Sequence, residues 1–537
     1  MVPFTPDPAP FHHWHVSKPA ARSDKGVVVS QVRDASAAGV AILEAGGNAV
    51  DAAIATAFAL AVVEPWNSGL GGIGFALVQG AGEPKAHSVH YGPVAPRRLT
   101  PAHFELGGDQ PVNHIFPWPA VKDDANAHGP LSFCLPSAVA GYGLMHDRWG
   151  SMPLRDVLQP AIALARRGAV LDWYTTLVLA ESAPILRNYA ASARVFLREG
   201  LPPTAPTQGT PGFIGLGSMA STLERLAAAG WKDFYVGAVA ESVIADIREL
   251  GGVITAEELA ACQADVREPL SVPWGGSVVQ LSSGLTAGPT LAGVFARLAS
   301  SRPQSQSTPS PAWYADVATA MQDAYRERLA EAGDEDPKEK GCTSHVNVVD
   351  SSGAMVSMTN TLLSSLGSKV LLPGTGFVMN NGVLWFDPRP GQVNSIAGGK
   401  RPLTNMCPAI VQRDGRATLA VGAAGGRRIM AAVGQLLMFV NDFGMDVQQA
   451  GHWPRIDVSG PDRVMADRRL GADVLAALAA RGETEVVDWS VMPFNFARAG
   501  ILARSDDGVA EGLSDPYAPW SAALGAGPMS APSAEMR

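Results

Sequence analysis

Apolar positions follow two periods along this chain. After Asn48, the run AVDAAIATAFALAVV is apolar on almost every side. That predicts a buried helix, capped by Asn48 and stopped by Pro65. Ahead of it, Val27 to Gln31 reads as a short buried strand. Asp34 to about Ala45 reads as a helix halted at Gly46-Gly47. Phe75 to Val78 is a further apolar strand. From Gly141 to about Leu250 the pattern is mostly helical, with apolar faces over Leu154 to Arg167 and Val239 to Leu250. Ser301 to Pro311 (SRPQSQSTPSP) is a polar loop, and a helix is expected from Ala312 to about Ala332. Next comes GDEDPKEKG, Gly333 to Gly341, with no apolar anchor and so expected to be exposed and mobile. There the period changes to two. Thr343 to Val349 (TSHVNVV) alternates, Asp350 to Gly353 is a turn signal, and Ala354 to Leu362 is a second strand, so a β-hairpin is predicted.

Pairing Asp350 with Gly353 puts Thr343 opposite residue 360, within one residue of Thr361. Two hydroxyls would then meet at the end of a mobile charged loop. A threonine hydroxyl is a weak nucleophile that needs a base, and the residue's own α-amine can serve if the chain is cut just before it. The plain alternative is a threonine that merely opens a strand. A second element, LAVGAAGG from Leu419 to Gly426, leads into a helix from Arg427 to about Phe439. Glycines at such a turn expose N–H groups beside a positive helix end, which suits an oxyanion or a phosphate. Ordinary tight-turn glycines fit as well. A third element, GKRPLTNMCP from Gly399 to Pro408, is a cationic turn entering the polar pair Thr404-Asn405. Gly69, Gly71 and Gly74 match GxGxxG, but the order is helix, glycines, strand, and Val94 stands where an acid would be needed. Close backbone packing is therefore expected there, not a dinucleotide. No GxSxG, Walker A or HExxH motif occurs.

Composition narrows the class. The chain has 537 residues, 47% hydrophobic and 17% charged, with 57 Gly. The usual charged share is about 25%. Intrinsic disorder and a coiled coil are excluded. The net charge of −9 and the lack of a long basic run argue against nucleic acid. Four scattered cysteines make a zinc site or disulfide framework unexpected. His12, His13 and His15 cluster near the start, where a solvated tail is preferred over a metal site. The longest apolar run, Ala52 to Val63, falls short of the ~20 residues that span a bilayer. The N-terminus lacks a signal-peptide pattern, so a soluble, cytoplasmic protein without cofactor or metal is expected.

Taken in order, AAGVAILEAGGNAVDAAIATAFALAVVEP, NSGLGGIGF, TSHVNVVD, TGFVMNN, GKRPLTNMCPAIV and GAAGGRRI resemble the γ-glutamyltranspeptidase family of N-terminal-nucleophile hydrolases. The likeness runs from about Gly26 nearly to the end. It implies a four-layer αββα sandwich and a precursor that cuts itself before Thr343. Residues 1–25 would be a tail, 26–342 the large subunit region and 343–537 the small one, with a homo-oligomer of that pair as a further expectation. Thr343 would be nucleophile, with its α-amine as base. Thr361 would hydrogen-bond it, and Gly425 and Gly426 would hold the oxyanion.

The departures concern specificity. At the family's carboxylate-gripping arginine stands Pro101, with Arg97 and Arg98 nearby but offset. Trp385, after Asn380-Asn381, falls at or near the family's amine-binding aspartate. Leu363 replaces an asparagine, and Thr404-Asn405 replaces a serine pair. The implied substrate-lining set is Thr404, Asn405, Trp385, Leu363, Asn381 and Arg97. A charged head group buried without partners costs several kcal/mol. The expected activity is thus hydrolysis of a small amide that is not γ-glutamyl. The alternatives are a glutathione-type γ-glutamyl hydrolase or transferase using Arg97 or Arg98, and an unprocessed, non-catalytic member. Cys342 before the expected cut favours the last mildly.

Overall fold

The computed structural model describes residues 16–108, 118–303, 307–332 and 342–527. His12, His13, His15 and the charged stretch 333–341 lie outside the described residues.

Helix Ala49–Val63 starts as its sequence dictates. The Asn48 side chain accepts the Val50 and Asp51 amides, and the Asp51 carboxylate accepts the Asn48 amide. Every residue of this helix is buried, so its all-round apolarity matches its place in the core. The expected helix Leu154 to Arg167 is instead two, Leu154–Val157 and Gln159–Arg167. Pro160 lacks the amide that would reach back to Asp156 and continue one helix.

Two seven-stranded antiparallel sheets form the centre. The first runs Ala522–Gly525, Gly26–Ser30, Cys342–Asp350, Met355–Leu363, Ile73–Gln79, His87–Tyr91, Asp265–Arg267. The second runs Ala21–Ser23, Ala510–Ser514, Arg498–Arg504, Arg416–Ala424, Ala409–Arg413, Ser277–Leu281, Leu270–Trp274. Side-chain alternation assigns the faces. Val346, Val348, Val356 and Met358 pack outward with helices Arg33–Glu44 and Ala49–Val63. Val349, Met355 and Leu77 pack inward on Ile410, Ala420 and Leu502 of the second sheet. Val279, Val421 and Ile501 carry the outer face of that sheet under helices Gly288–Leu298, Pro311–Ala332 and Arg428–Phe443. The result is the expected αββα sandwich.

The space between the sheets also holds polar side chains. His345 bonds Thr359 Oγ1 through Nδ1 and Asn347 Oδ1 through Nε2, both at 2.9 Å. Asn347 in turn donates to the Gly500 carbonyl at 3.0 Å. The His345 ring fills the place a side chain at Gly422 would need, since a Cβ there would lie 2.0 Å from Cε1.

The expected tail, residues 1–25, is tied in before its end. Ala21–Ser23 is an edge strand paired with Ala510–Ser514. The Lys18 ammonium donates to the carbonyls of Asp515, Ala518 and Ser521. The glycine-rich segment packs backbone on backbone, as expected. A Cβ on Gly71 would lie 2.3 Å from the Val378 carbonyl oxygen, and one on Gly74 2.4 Å from that of Thr359. Among the described residues no helix is long and apolar enough to cross a membrane.

Candidate active site

The hairpin brings the two threonines together. Ser344 lies opposite Asn360 and His345 opposite Thr359, with an irregularity between Cys342 and Ser344. The register is one residue from the turn-centred count, and the partner of Thr343 is therefore Thr361. Thr343 Oγ1 sits 3.4 Å from Thr361 Oγ1 as donor. Thr361 Oγ1 also accepts the Leu363 amide at 2.8 Å, which fixes its rotamer. Thr343 shares the inward face with His345 and Val349 and is only 4% exposed.

Ser344 points the other way, to a residue the sequence reading missed. Its hydroxyl donates to Glu64 Oε2 at 2.7 Å. Glu64 follows the buried helix and is itself fully buried. Burial raises its carboxyl to about 7, against the opposing charge of Arg498 and the Ser344 hydrogen bond. Arg498, on the second sheet, donates to the Tyr174 hydroxyl at 2.8 Å. A lone acid ending an apolar helix was the available signal. His345 behaves oppositely: burial lowers its imidazole to about 4, so it is neutral near pH 7.

Gly425 and Gly426 follow strand Arg416–Ala424 and precede helix Arg428–Phe443. Gly425 has φ +145° and Gly426 φ +60°. A Cβ on Gly425 would lie 2.9 Å from Ala497 Cα. Their N–H groups meet no backbone carbonyl among the described residues. Cross-sheet contacts align this element with the hairpin. Ser357, opposite Asn347, donates to the Val421 carbonyl, and His345 lies on Gly422. Stepping from Asn347 back to Thr343 therefore runs with stepping from Val421 on to Gly425. The glycine pair lies at the Thr343 end of the cleft, beside a helix start.

The wall around this end is apolar. Leu363 and Trp385 cluster with Ile73, Phe75, Trp118, Leu384 and Met406. Leu363 has φ +84°, a left-handed conformation costly for a bulky residue. Its amide bond to Thr361 and its buried side chain hold it there. Pro101 opens a single turn, Pro101–His103.

Three of the expected lining groups have structural work. The Asn381 amide donates to Ala127 O and Ser364 Oγ and accepts the Ser364 N–H. The Thr404 hydroxyl donates to the Leu285 carbonyl at 2.9 Å. Arg328 donates to the Thr404 carbonyl at 2.6 Å and to Asn405 Oδ1 at 3.3 Å. Arg328 stands near the end of helix Pro311–Ala332, and its role was not readable from spacing. Arg97 is exposed, with its amide on Glu258 Oε1.

Two facing antiparallel sheets in this strand order, layered between helices, are the fold of the N-terminal-nucleophile hydrolases. The profile described as Gamma-glutamyltranspeptidase matches residues 35–340 and 330–524. The chain belongs to the γ-glutamyltranspeptidase family. It is 29% identical to the glutathione hydrolase proenzyme of Escherichia coli (strain K12), over 92% of this chain and 91% of that one. It is 31% identical to the acylase ACY 1 proenzyme of Pseudomonas sp. (strain SE83), over 87% and 88%. The crystal structure of cephalosporin acylase from Bacillus halodurans superposes with a TM-score of 0.80 at 25% identity, covering 98% and 99%.

Proposed function

We propose that this chain is an autoprocessed threonine amidohydrolase whose acyl pocket takes an apolar group rather than γ-glutamate. The observation that carries the reading is the contrast within one cleft. Thr343 and Thr361 stand 3.4 Å apart, while Leu363 and Trp385 line the wall beside them.

In the precursor, Thr343 Oγ1 attacks the Cys342 carbonyl carbon and the peptide nitrogen leaves as the Thr343 amine. Water hydrolyses the resulting ester and frees a chain that begins at Thr343. In turnover, the α-amine takes the Oγ1 proton as Oγ1 attacks the substrate carbonyl. The Gly425 and Gly426 amides hold the oxyanion. The proton passes to the leaving amine, and water, with the α-amine as base, cleaves the Thr343 ester. Thr361 orients Oγ1. The large region, 26–342, and the small one, 343–537, stay together through bonds that survive the cut. Asn380 donates to the carbonyls of Gly71 and Cys134, and Asn381 to that of Ala127.

Support for an acyl group other than γ-glutamyl comes from the absent grips. No arginine stands at Pro101, and Trp385 and Leu363 occupy polar positions of the family. The acylase relative shows that the family's curated names include acylases as well as glutathione hydrolases. The test is denaturing electrophoresis with N-terminal sequencing, followed by assays on paired chromogenic amides. Two bands are expected, the smaller beginning at Thr343, with turnover of an apolar N-acyl amide well above that of the γ-glutamyl amide. A single 56.0 kDa band, unchanged in Thr343→Ala, would sink the processing step. Robust γ-glutamyl release would replace this pocket assignment with a glutathione-type activity.

A further inference from the structure

A cavity of about 510 Å³ opens beside the cleft, on the far side of the apolar wall. Its place follows from strand order. Thr361 pairs with Ile73, and Gly74 pairs with Tyr91, so Thr343, Thr361, Ile73 and Gly92 lie in one row. Gly92 lines the cavity, three strand spacings from Thr343, or about 14 Å. Phe75 belongs both to the apolar cluster and to the cavity lining. Leu285, whose carbonyl holds Thr404, lines the cavity too. The volume is in the range of small-molecule sites, roughly 300–1,000 Å³.

The charge of this cavity is unbalanced. Arg97, Arg267 and Arg401 line it, against Glu258 and Asp265. Both acids are occupied. Glu258 accepts the Arg97 and Thr255 amides, and Asp265 accepts Arg267 Nε at 2.6 Å. The guanidinium groups of Arg97 and Arg401 make no hydrogen bond or ion pair with the described residues. They come from separate stretches, 304 positions apart in the chain, and meet at one mouth. Phe75, Tyr91, Leu135 and Leu285 supply apolar surface beneath them. Planar guanidinium forks match carboxylate and phosphate oxygens in pairs, and an apolar floor selects a ligand with a hydrophobic body.

We infer that this cavity is an organic-anion site, taking a small molecule with an apolar body whose carboxylate or phosphate is gripped by Arg97 and Arg401. The anion is either a distal group of the amide substrate or a separate effector. The site stands apart from the chemistry assigned to Thr343, so the two stand or fall separately.

The test uses wild-type protein and the Arg97→Ala/Arg401→Ala variant, with Arg97→Lys/Arg401→Lys as the conservative pair. Both arginines are exposed, so folding should survive, which thermal unfolding without ligand checks. Benzoate is titrated by calorimetry, with benzamide as the neutral control. Saturable benzoate binding is expected, at least tenfold tighter than benzamide. It should weaken at least tenfold in the alanine pair and less in the lysine pair. Two kinetic arms then name the source. If the anion belongs to the substrate, wild type prefers amides bearing a distal carboxylate over neutral ones of equal length, and the alanine pair loses that preference tenfold, in KM. If it is an effector, benzoate shifts the turnover of a neutral amide in wild type and not in the alanine pair. Equal binding of benzoate and benzamide, or benzoate binding unchanged in the alanine pair, overturns the inference. Binding without any amide turnover would leave the site standing and remove only the Thr343 chemistry.

Discussion

The two ends of one wall are built by different means. Around Thr343, neighbouring strands place most of the groups. Thr361 comes from the next strand, Ser344 and His345 from the same one, and Gly422 from the strand facing them. The side proposed to line the acyl group draws on remote segments. Arg328 holds Thr404, Leu285 receives its hydroxyl, and Trp118 donates to the Leu384 carbonyl. Strand pairing restricts the first end to a narrow set of residues. The second end can change side chains while its backbone anchors stay, so specificity can drift while the reaction is kept.

That contrast can be broken experimentally. The largest effect is expected at the rigid end. Gly422→Ala places a methyl carbon 2.0 Å from the His345 ring, which is locked between Thr359 and Asn347. Overpacking at a site without free space should cost about 3 kcal/mol or more, read as a fall in the urea midpoint. A change within 0.5 kcal/mol would show that this end is as pliable as the other.

Next comes pH. His345 is lowered from an ordinary 6.5 to about 4, so the unfolded chain binds a proton in that window and the folded chain does not. Stability therefore rises from pH 4 to 6.5, by about 3 kcal/mol for this group. Glu64 runs the other way. Its carboxyl is raised from 4.5 to about 7, so the folded chain holds the extra proton and stability falls across that window. The two trends oppose each other from pH 4.5 to 6.5. Relative to wild type, denaturant curves there should slope down with pH in His345→Gln and up in Glu64→Gln, and the remaining fall up to pH 7 should vanish in Glu64→Gln. Parallel curves for wild type and both variants would contradict these assignments.

Thr361→Val keeps the shape but removes the hydroxyl beside Thr343. Turnover should drop by about 30-fold, worth about 2 kcal/mol, with the fold intact by circular dichroism. The smallest effect is expected at the adjustable end. Leu363→Asn suits φ +84° better than leucine does. It should fold normally and lower the preference for apolar over polar acyl groups by about tenfold. A collapse of all activity in that variant would mean the wall is part of the reaction machinery.

The same contrast explains what could be read from sequence. Alternation and one turn signal were enough to bring Thr343 to Thr361, because a hairpin register depends on local pairing. The helix capped by Asn48 and the glycine pair before Arg428 were legible for the same reason. Asn381 and Thr404 read by position as substrate-lining, and their side chains also anchor backbone at Ala127, Ser364 and Leu285. No local pattern distinguishes a side chain that faces a ligand from one that holds a loop. Arg328, Glu64 and the meeting of Arg97 with Arg401 depend on contacts between residues tens to hundreds of positions apart. They became visible only in three dimensions.

The central claim is that Thr343 carries the acyl group. Intact-mass spectrometry of protein quenched during turnover of an apolar N-acyl amide tests it directly. A chain of residues 343–537 is expected, heavier by the acyl group, with the adduct on the peptide that begins at Thr343. An uncut chain, or an adduct on any other residue, would contradict the account.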